Sequence, residues 1–322
     1  MLRQILVTAL IAGLGWCGLG VGSVQSDNET ATFSLPGSTL LFGTSNQLVT
    51  NTPGRVESIR PPREVPANQG FFTYPSQSAN GDLISWGFFT KAEKTVKATR
   101  TRSVLGIYSR TDQRWKTFGD LDDTGKIEAT SISPDNLHVA FVHEEDHTKN
   151  YKRELRILDL NDGSIRSVPR PSIWYRTTLS WSPDSKKIAI IINQTSKKDP
   201  VLAVLDLQSD NLRTLGEGIG AAWSPDGVWI AYFSASGEKC MLVHPDGTGT
   251  TIVANLRQSL FTSTRFGWGG PVWSPDSKYL LMTEMMGDLR TFGVAELDLQ
   301  RGRLRTVKRP ALPIFGWVRN GP

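Results

Sequence analysis

The chain has 322 residues, 39% of them hydrophobic, which is ample for a sizeable core in two ordinary domains or one large closed β structure. Its net charge of +5 is mild, is not gathered into one long run and accompanies no nucleic-acid motif, so a nucleic-acid partner is not expected. Ten Trp and thirty Gly suit short strands joined by tight turns, and two cysteines are too few for a disulfide framework.

Arg3 provides a short basic flank, and the stretch from Ile5 to Gly22 is uncharged and rich in Leu, Ile, Ala and Gly. Small residues follow at Gly20, Gly22 and Ser23, before a polar stretch begins at Gln25. This order predicts an export signal over residues 1–23. The alternative is an uncleaved membrane anchor, which the internal glycines weaken as a permanent helix. Cys17 stands where a lipidated cysteine would, but Trp16 precedes it where lipoprotein signals resemble one another in having Gly, Ala or Ser. A membrane partner is therefore expected only if this segment is retained or lipidated. After cleavage no second cysteine remains to pair with Cys240, which opens an apolar strand pattern and is expected to be a buried small hydrophobe. Residues 24–38 read as a flexible tether.

The folded region is expected over 39–322. Thr39–Phe42 and Gln47–Val49 are short strand candidates, followed by a Pro-rich connection from Pro61 to Pro66. A first unit begins at Phe71-Phe72-Thr73-Tyr74-Pro75, with a turn over Ser76–Gly81, and strands at Leu83–Trp86, Ser103–Tyr108 and Trp115–Phe118. Four clearer units follow. Their markers are Ser133-Pro134-Asp135, Ser182-Pro183-Asp184, Ser224-Pro225-Asp226 and Ser274-Pro275-Asp276, spaced 49, 42 and 50 residues apart. Trp181, Trp223 and Trp273 precede three of them and Ile132 the first. Each is followed in one register by an apolar run: Val139-Ala140-Phe141, Ile188-Ala189-Ile190, Ile230-Ala231-Tyr232 and Leu280-Leu281-Met282. A hairpin then closes the unit, as at Asn161-Asp162-Gly163 and Pro245-Asp246-Gly247.

In the Ser-Pro-Asp turn, Pro fixes φ at the second position and Asp can accept from nearby backbone N–H groups. No long helical periodicity follows the first segment, so the fold is all-β. Residues 39–322 divide into about six units of ~40–50 residues, the size of four-stranded propeller blades. The Trp-Ser-Pro-Asp pattern, its apolar strand and its hairpin resemble the repeats of TolB-type six-bladed β-propellers over residues 70–310. That family also carries an N-terminal α/β domain, for which the stretch before residue 39 has no room. The resemblance therefore implies the fold and not TolB's role in the envelope-spanning Tol system. Finally, Phe315-Gly316-Trp317-Val318-Arg319 echoes an innermost strand without its partners, while the strands at 39–60 lack an innermost one. The two termini are expected to build the sixth blade together and close the ring.

Chemistry-bearing motifs are few. His143-Glu144-Glu145-Asp146-His147 matches a zinc-peptidase spacing, but that spacing works on a helix face. Here it follows a strand and is expected to be a solvated loop. His138 and His244 fall on blade positions, no Gly-x-Ser-x-Gly elbow exists, and four scattered histidines fit poorly with propeller-type polysaccharide lyases that rely on several His at a metal. The Asp of each Ser-Pro-Asp is explained by turn chemistry. No enzyme activity, metal or cofactor is expected.

The turns and hairpins should share one face of a propeller, leaving the loops between second and third strands, and between blades, on the other. Thr90 to Arg102 reads as a cationic loop through Lys94, Lys97 and Arg100, continued by Lys149, Lys152 and Arg153 in the next blade. The inter-blade stretches add Trp174, Tyr175 and Arg176, then Arg265, Phe266 and Trp268. Aromatic and Arg side chains at a concave mouth suit a protein partner, here an acidic one. The expected function is an exported, non-catalytic binding or scaffold module of the periplasm or cell envelope. The alternative is an enzyme or binder of anionic polysaccharide, with Arg176 or Arg265 on a uronic-acid carboxylate.

Overall fold

A computed structural model describes residues 38–44, 47–52, 55–62, 75–94, 99–118, 125–145, 152–169, 172–175, 177–193, 199–256, 269–285, 292–311 and 314–319. All of them lie in one unit, Thr32–Pro322. The first unit's opening stretch, Phe71–Tyr74, falls outside the described residues, as does the whole of the predicted signal.

The described strands form six four-stranded antiparallel sheets, the blades of a propeller. The first three strands in the chain are β1 (Ser38–Thr44), β2 (Gln47–Thr52) and β3 (Arg55–Ile59). Blade one is β4 (Ser76–Gln77), β5 (Leu83–Lys94), β6 (Thr99–Ser109) and β7 (Arg114–Phe118). Blade two is β8 (Gly125–Ile132), β9 (His138–Glu145), β10 (Lys152–Asp159) and β11 (Ile165–Val168). Blade three is β12 (Leu179–Trp181), β13 (Lys187–Ile192), β14 (Val201–Asp206) and β15 (Leu212–Glu217). Blade four is β16 (Ile219–Trp223), β17 (Ile230–Phe233), β18 (Lys239–Val243) and β19 (Thr251–Asn255). Blade five is β20 (Val272–Trp273), β21 (Tyr279–Met285), β22 (Phe292–Asp298) and β23 (Arg303–Ala311). The last strand, β24 (Ile314–Arg319), pairs with β1 to give the order β24-β1-β2-β3. Blade six is thus built from both ends of the propeller, as the orphan strands required.

Why the second strand of each blade is a continuous apolar run follows from its position. Successive strand side chains point to opposite faces, and here both faces are buried between blades. In β13, Ile188, Ile190 and Ile192 pack with Val142 and Leu155 of blade two, whereas Ala189 and Ile191 join Phe233 and Leu242 of blade four. The same sharing joins blades one and two, six and one, and five and six. The core is therefore a ring of inter-blade layers.

Each Ser-Pro-Asp turn has one construction. In blade three the Ser182 hydroxyl accepts from the Lys187 amide at 2.9 Å and donates to the Asp184 carboxylate, which accepts from the Lys186 amide at 3.2 Å. These bonds hold the Asp184 carboxyl below the usual range, the Ser182 hydroxyl first among the causes. The next residue is left-handed in each copy: Asn136, Ser185, Gly227 and Ser277. Blade one keeps the same geometry with Ser78-Ala79-Asn80, the Ser78 hydroxyl donating to Asn80 at 2.6 Å and left-handed Gly81 following. Its turn therefore begins at Ser78, and Ser76–Gln77 form the innermost strand rather than part of the turn.

Two of the three Trp residues before the motif tie blades together, while the Trp223 indole N–H reaches the Gly227 carbonyl of its own turn at 3.4 Å. The Trp181 indole N–H donates to the Ser131 carbonyl of blade two, and Trp273 to the Ala222 carbonyl of blade four, both at 2.9 Å. Ile132 carries no such donor; its amide instead donates to Ser76 Oγ at 3.0 Å. Cys240 is a buried free thiol on β18, its pKa pushed up to about 12 by burial.

Candidate functional site on the loop face

In an antiparallel meander, the turns after the first and third strands emerge on one side and the connections after the second and fourth on the other. The Ser-Pro-Asp turns and hairpins therefore define a turn face, and the remaining connections a loop face. On the loop face, the expected cationic loop at 90–102 is instead strand over residues 90–94 and 99–102. β5 and β6 pair out to Lys94↔Thr99, and Arg100 stands opposite Glu93. Alternating Thr and Arg over Thr99–Ser103 supports strand, a pattern that the run of charges obscured. Lys94 and Arg100 thus lie near the tip of a ribbon, while Lys97, Arg176, Arg265, Phe266 and Trp268 lie outside the described residues.

Trp174 and Tyr175 are described, and they are held firmly. The Trp174 amide donates to the Ile191 carbonyl at 3.1 Å, and Asn193 donates its side-chain amide to the Ile173 carbonyl at 2.9 Å. Buried Thr177 accepts the Ile191 amide at 3.0 Å. The segment is thereby fastened across the end of β13. Trp174 is half-buried against the core shared by blades three to five, and Tyr175 packs against it in a tilted contact with ring centroids 5.0 Å apart at 48°. Tyr175 nevertheless remains 45% exposed, a large aromatic on a rigid base. Asn193 was not legible as part of this site, because its role depends on a bridge between Ile173 and Ile192 that no local pattern announces.

The His143–His147 stretch also differs from expectation. β9 runs through Glu145, so His143 and Glu144 are buried strand residues, not members of a solvated loop; His147 is outside the described residues. Lys152 and Arg153 are likewise strand residues. Register places Glu144 between Lys126 on β8 and Arg153 on β10. Arg153 donates to Glu128 Oε2 at 3.0 Å and also to Glu144, and Lys126 stands 3.8 Å from Glu144. A bulge between Ile127 and Ala129 turns Glu128 toward this group. Burial pushes the Glu128 carboxyl up to about 7; Arg153 opposes the rise, and the charge and hydrogen bond of Glu144 reinforce it. Counting strand register onward from Val139 would have found Glu144, but nothing in the sequence marks the bulge. Arg153 is thus consumed in an internal ion cluster and is not available to a partner as a loop cation.

Among the described residues, no group of three or more His, Cys, Asp or Glu is placed to hold a metal ion. No protein-family profile matches the chain, and no curated protein does. Solved structures do. TolB from Acinetobacter baumannii is similar with a TM-score of 0.62 at 13% identity, over 87% of this chain and 66% of that one. A chain from a nidogen/laminin complex gives 0.60 at 12% identity, over 88% and 98%. An oligogalacturonate lyase in complex with manganese gives 0.55 at 14% identity, over 84% and 74%. The TolB-like six-bladed architecture is thus shared with proteins of different roles, and this chain spans 66% of that TolB chain's length.

Proposed function

We propose that this protein is an exported, non-catalytic binding propeller of the cell envelope, which receives an acidic protein partner on its loop face. The observation that carries this reading is Tyr175, exposed yet packed at a tilt against Trp174, whose amide is bonded to the Ile191 carbonyl of β13. A rigid aromatic loses little conformational freedom on binding and fills a partner's pocket, which is how interface hot spots act. The basic residues Lys94, Lys97 and Arg100, within the sequence from Leu83 to Ser109, supply long-range attraction. The nidogen/laminin structure supports the reading by showing a similar chain within a protein complex.

Reversing charge at Lys94, Lys97 and Arg100 together is expected to weaken capture of envelope proteins by the immobilised chain, most strongly at low salt. Capture unchanged at every salt concentration would refute the role of these cations. A second reading, an enzyme or binder of anionic polysaccharide, is favoured by the fold shared with the oligogalacturonate lyase. Acidic oligosaccharides offered with and without divalent metal separate the two: turnover that Arg265→Ala abolishes supports the enzyme.

A further inference from the structure

Each blade ends in an outer strand whose far side pairs with no other described strand: β3, β7, β11, β15, β19 and β23. Such an edge presents a row of unpaired N–H and C=O groups, and charged side chains are one means of keeping other chains off it. Five of these six edges carry charge: Glu57 on β3, Lys116 on β7, Arg166 on β11, Arg213 on β15 and Arg305 on β23. β19 has none. It reads Thr251-Ile252-Val253-Ala254-Asn255, within an uncharged run from Gly247 to Leu256. Its three successive β-branched residues suit an extended, paired strand. Ile252 is 48% exposed, more than any other large apolar side chain among the described residues.

One guard remains on this edge. Val253 is an extra residue against β18, because Met241 pairs with Ile252 and Cys240 with Ala254. A bulge of this kind bends the strand and interrupts the ladder. β15 and β23 combine a bulge with charge, whereas β19 has the bulge alone. A strand added outside β19 therefore meets no repulsion, but its contact is short.

We propose that the outer edge of β19 is a self-association surface, on which a second copy of this chain pairs its own β19 antiparallel about a twofold axis. A twofold sets a strand against its own reversed sequence, so an edge bearing several like charges, such as β7 or β23, brings them together. In β19 no register does so. With Val253 on the axis, Ile252 faces Ala254 of the second copy and Thr251 faces its Asn255, and both exposed isoleucines gain cover. The one charge on β18 is Lys239, opposite Asn255. Strands about 4.8 Å apart leave the two Lys239 residues three spacings (~14 Å) from one another, beyond the Debye length of about 8 Å at physiological salt. The edge lies on the rim of the propeller, so this assignment does not rest on the partner surface proposed for the loop face.

Sedimentation of the full chain from about 1 µM to about 1 mM should show a monomer–dimer equilibrium with a dissociation constant of the order of 100 µM, as suits a short interface. Ile252→Lys and Thr251→Lys, both at exposed positions, give β19 the charge that the other edges carry. Each should keep the melting midpoint and raise the dissociation constant at least about tenfold, because the twofold brings every substitution in twice. Ile165→Lys, at an exposed position on the edge of blade two, should leave it unchanged. All three variants keep the apolar stretch from Ile5 to Gly22, so association through that stretch would appear equally in each. A chain that stays monomeric to about 1 mM, a dimer that both β19 substitutions leave intact, or one that Ile165→Lys weakens equally would overturn the assignment.

Discussion

Removal of residues 311–322 should abolish cooperative unfolding. The deletion takes away β24, whose register with β1 runs from Ser38↔Arg319 to Phe42↔Ile314. It also removes buried Ile314, Trp317 and Val318 from the layers that join blade six to its neighbours. Burying each such side chain contributes roughly 1.5–3 kcal/mol, so the three together reach about 5–9 kcal/mol. That is comparable with the whole stability of an ordinary domain. Loss of β24 would also leave β1 as an unpaired edge beside the channel, open to aggregation. Trp317→Ala alone should cost about 3–5 kcal/mol and leave a folded but less stable ring. Urea unfolding followed by tryptophan fluorescence and far-UV circular dichroism reads both variants. A truncated chain that unfolds with the wild-type midpoint would show that the two ends do not close the ring.

The second large effect is expected at Arg153. Arg153→Met keeps much of the side-chain volume but leaves Glu144, with only 5% of its side chain exposed, facing Glu128 across the bulge. Removing one partner of a buried ion pair costs roughly 3–5 kcal/mol, and here Lys126 at 3.8 Å is the nearest remaining cation given by the geometry. The wild type should itself show a pH signature. Glu128 holds its proton more tightly folded than unfolded, with its pKa raised from 4.5 to about 7 by burial first. Within that window the native state binds more protons, so stability falls as pH rises and the loss is complete above about pH 7. At 1.36 kcal/mol per pH unit, the effect reaches at most about 3 kcal/mol. Glu128→Gln should remove that part of the slope, and Arg153→Met should be more damaging at about pH 8 than at about pH 5. A stability profile in which Glu128→Gln leaves the slope unchanged would contradict the cluster.

How much of this was legible depends on where each residue sits in the repeat. The Ser-Pro-Asp turns, the apolar second strands and the closing Trp317 strand repeat local chemistry in one register, so the sequence displays them directly. Blade one hides the same turn because Asn80 stands for Asp and Ala79 for Pro, yet the hydrogen bonds are equivalent. The loop face was less readable. Thr99–Arg102 looks like a charged loop until it is paired across the ribbon with β5. Glu144 looks like part of a metal-binding motif until register places it opposite Arg153. Both depend on the register of cross-strand pairing, which the residue types do not announce, and the approach of Glu128 also depends on a bulge. Trp174 and Tyr175 stand out in the sequence as aromatics between blades, but the bond from Asn193 to the Ile173 carbonyl beside them arises only in three dimensions.

Partner capture by single-site variants on opposite faces tests most directly whether the loop face is the binding face. Tyr175→Ala removes the exposed aromatic, and Leu137→Ser alters an exposed apolar residue at a Ser-Pro-Asp turn on the other side. With melting midpoints unchanged, Tyr175→Ala should weaken capture of envelope proteins about thirtyfold, the 2 kcal/mol expected of a hot spot, while Leu137→Ser binds as the wild type does. Full capture by Tyr175→Ala together with loss in Leu137→Ser would place the binding surface on the turn face instead.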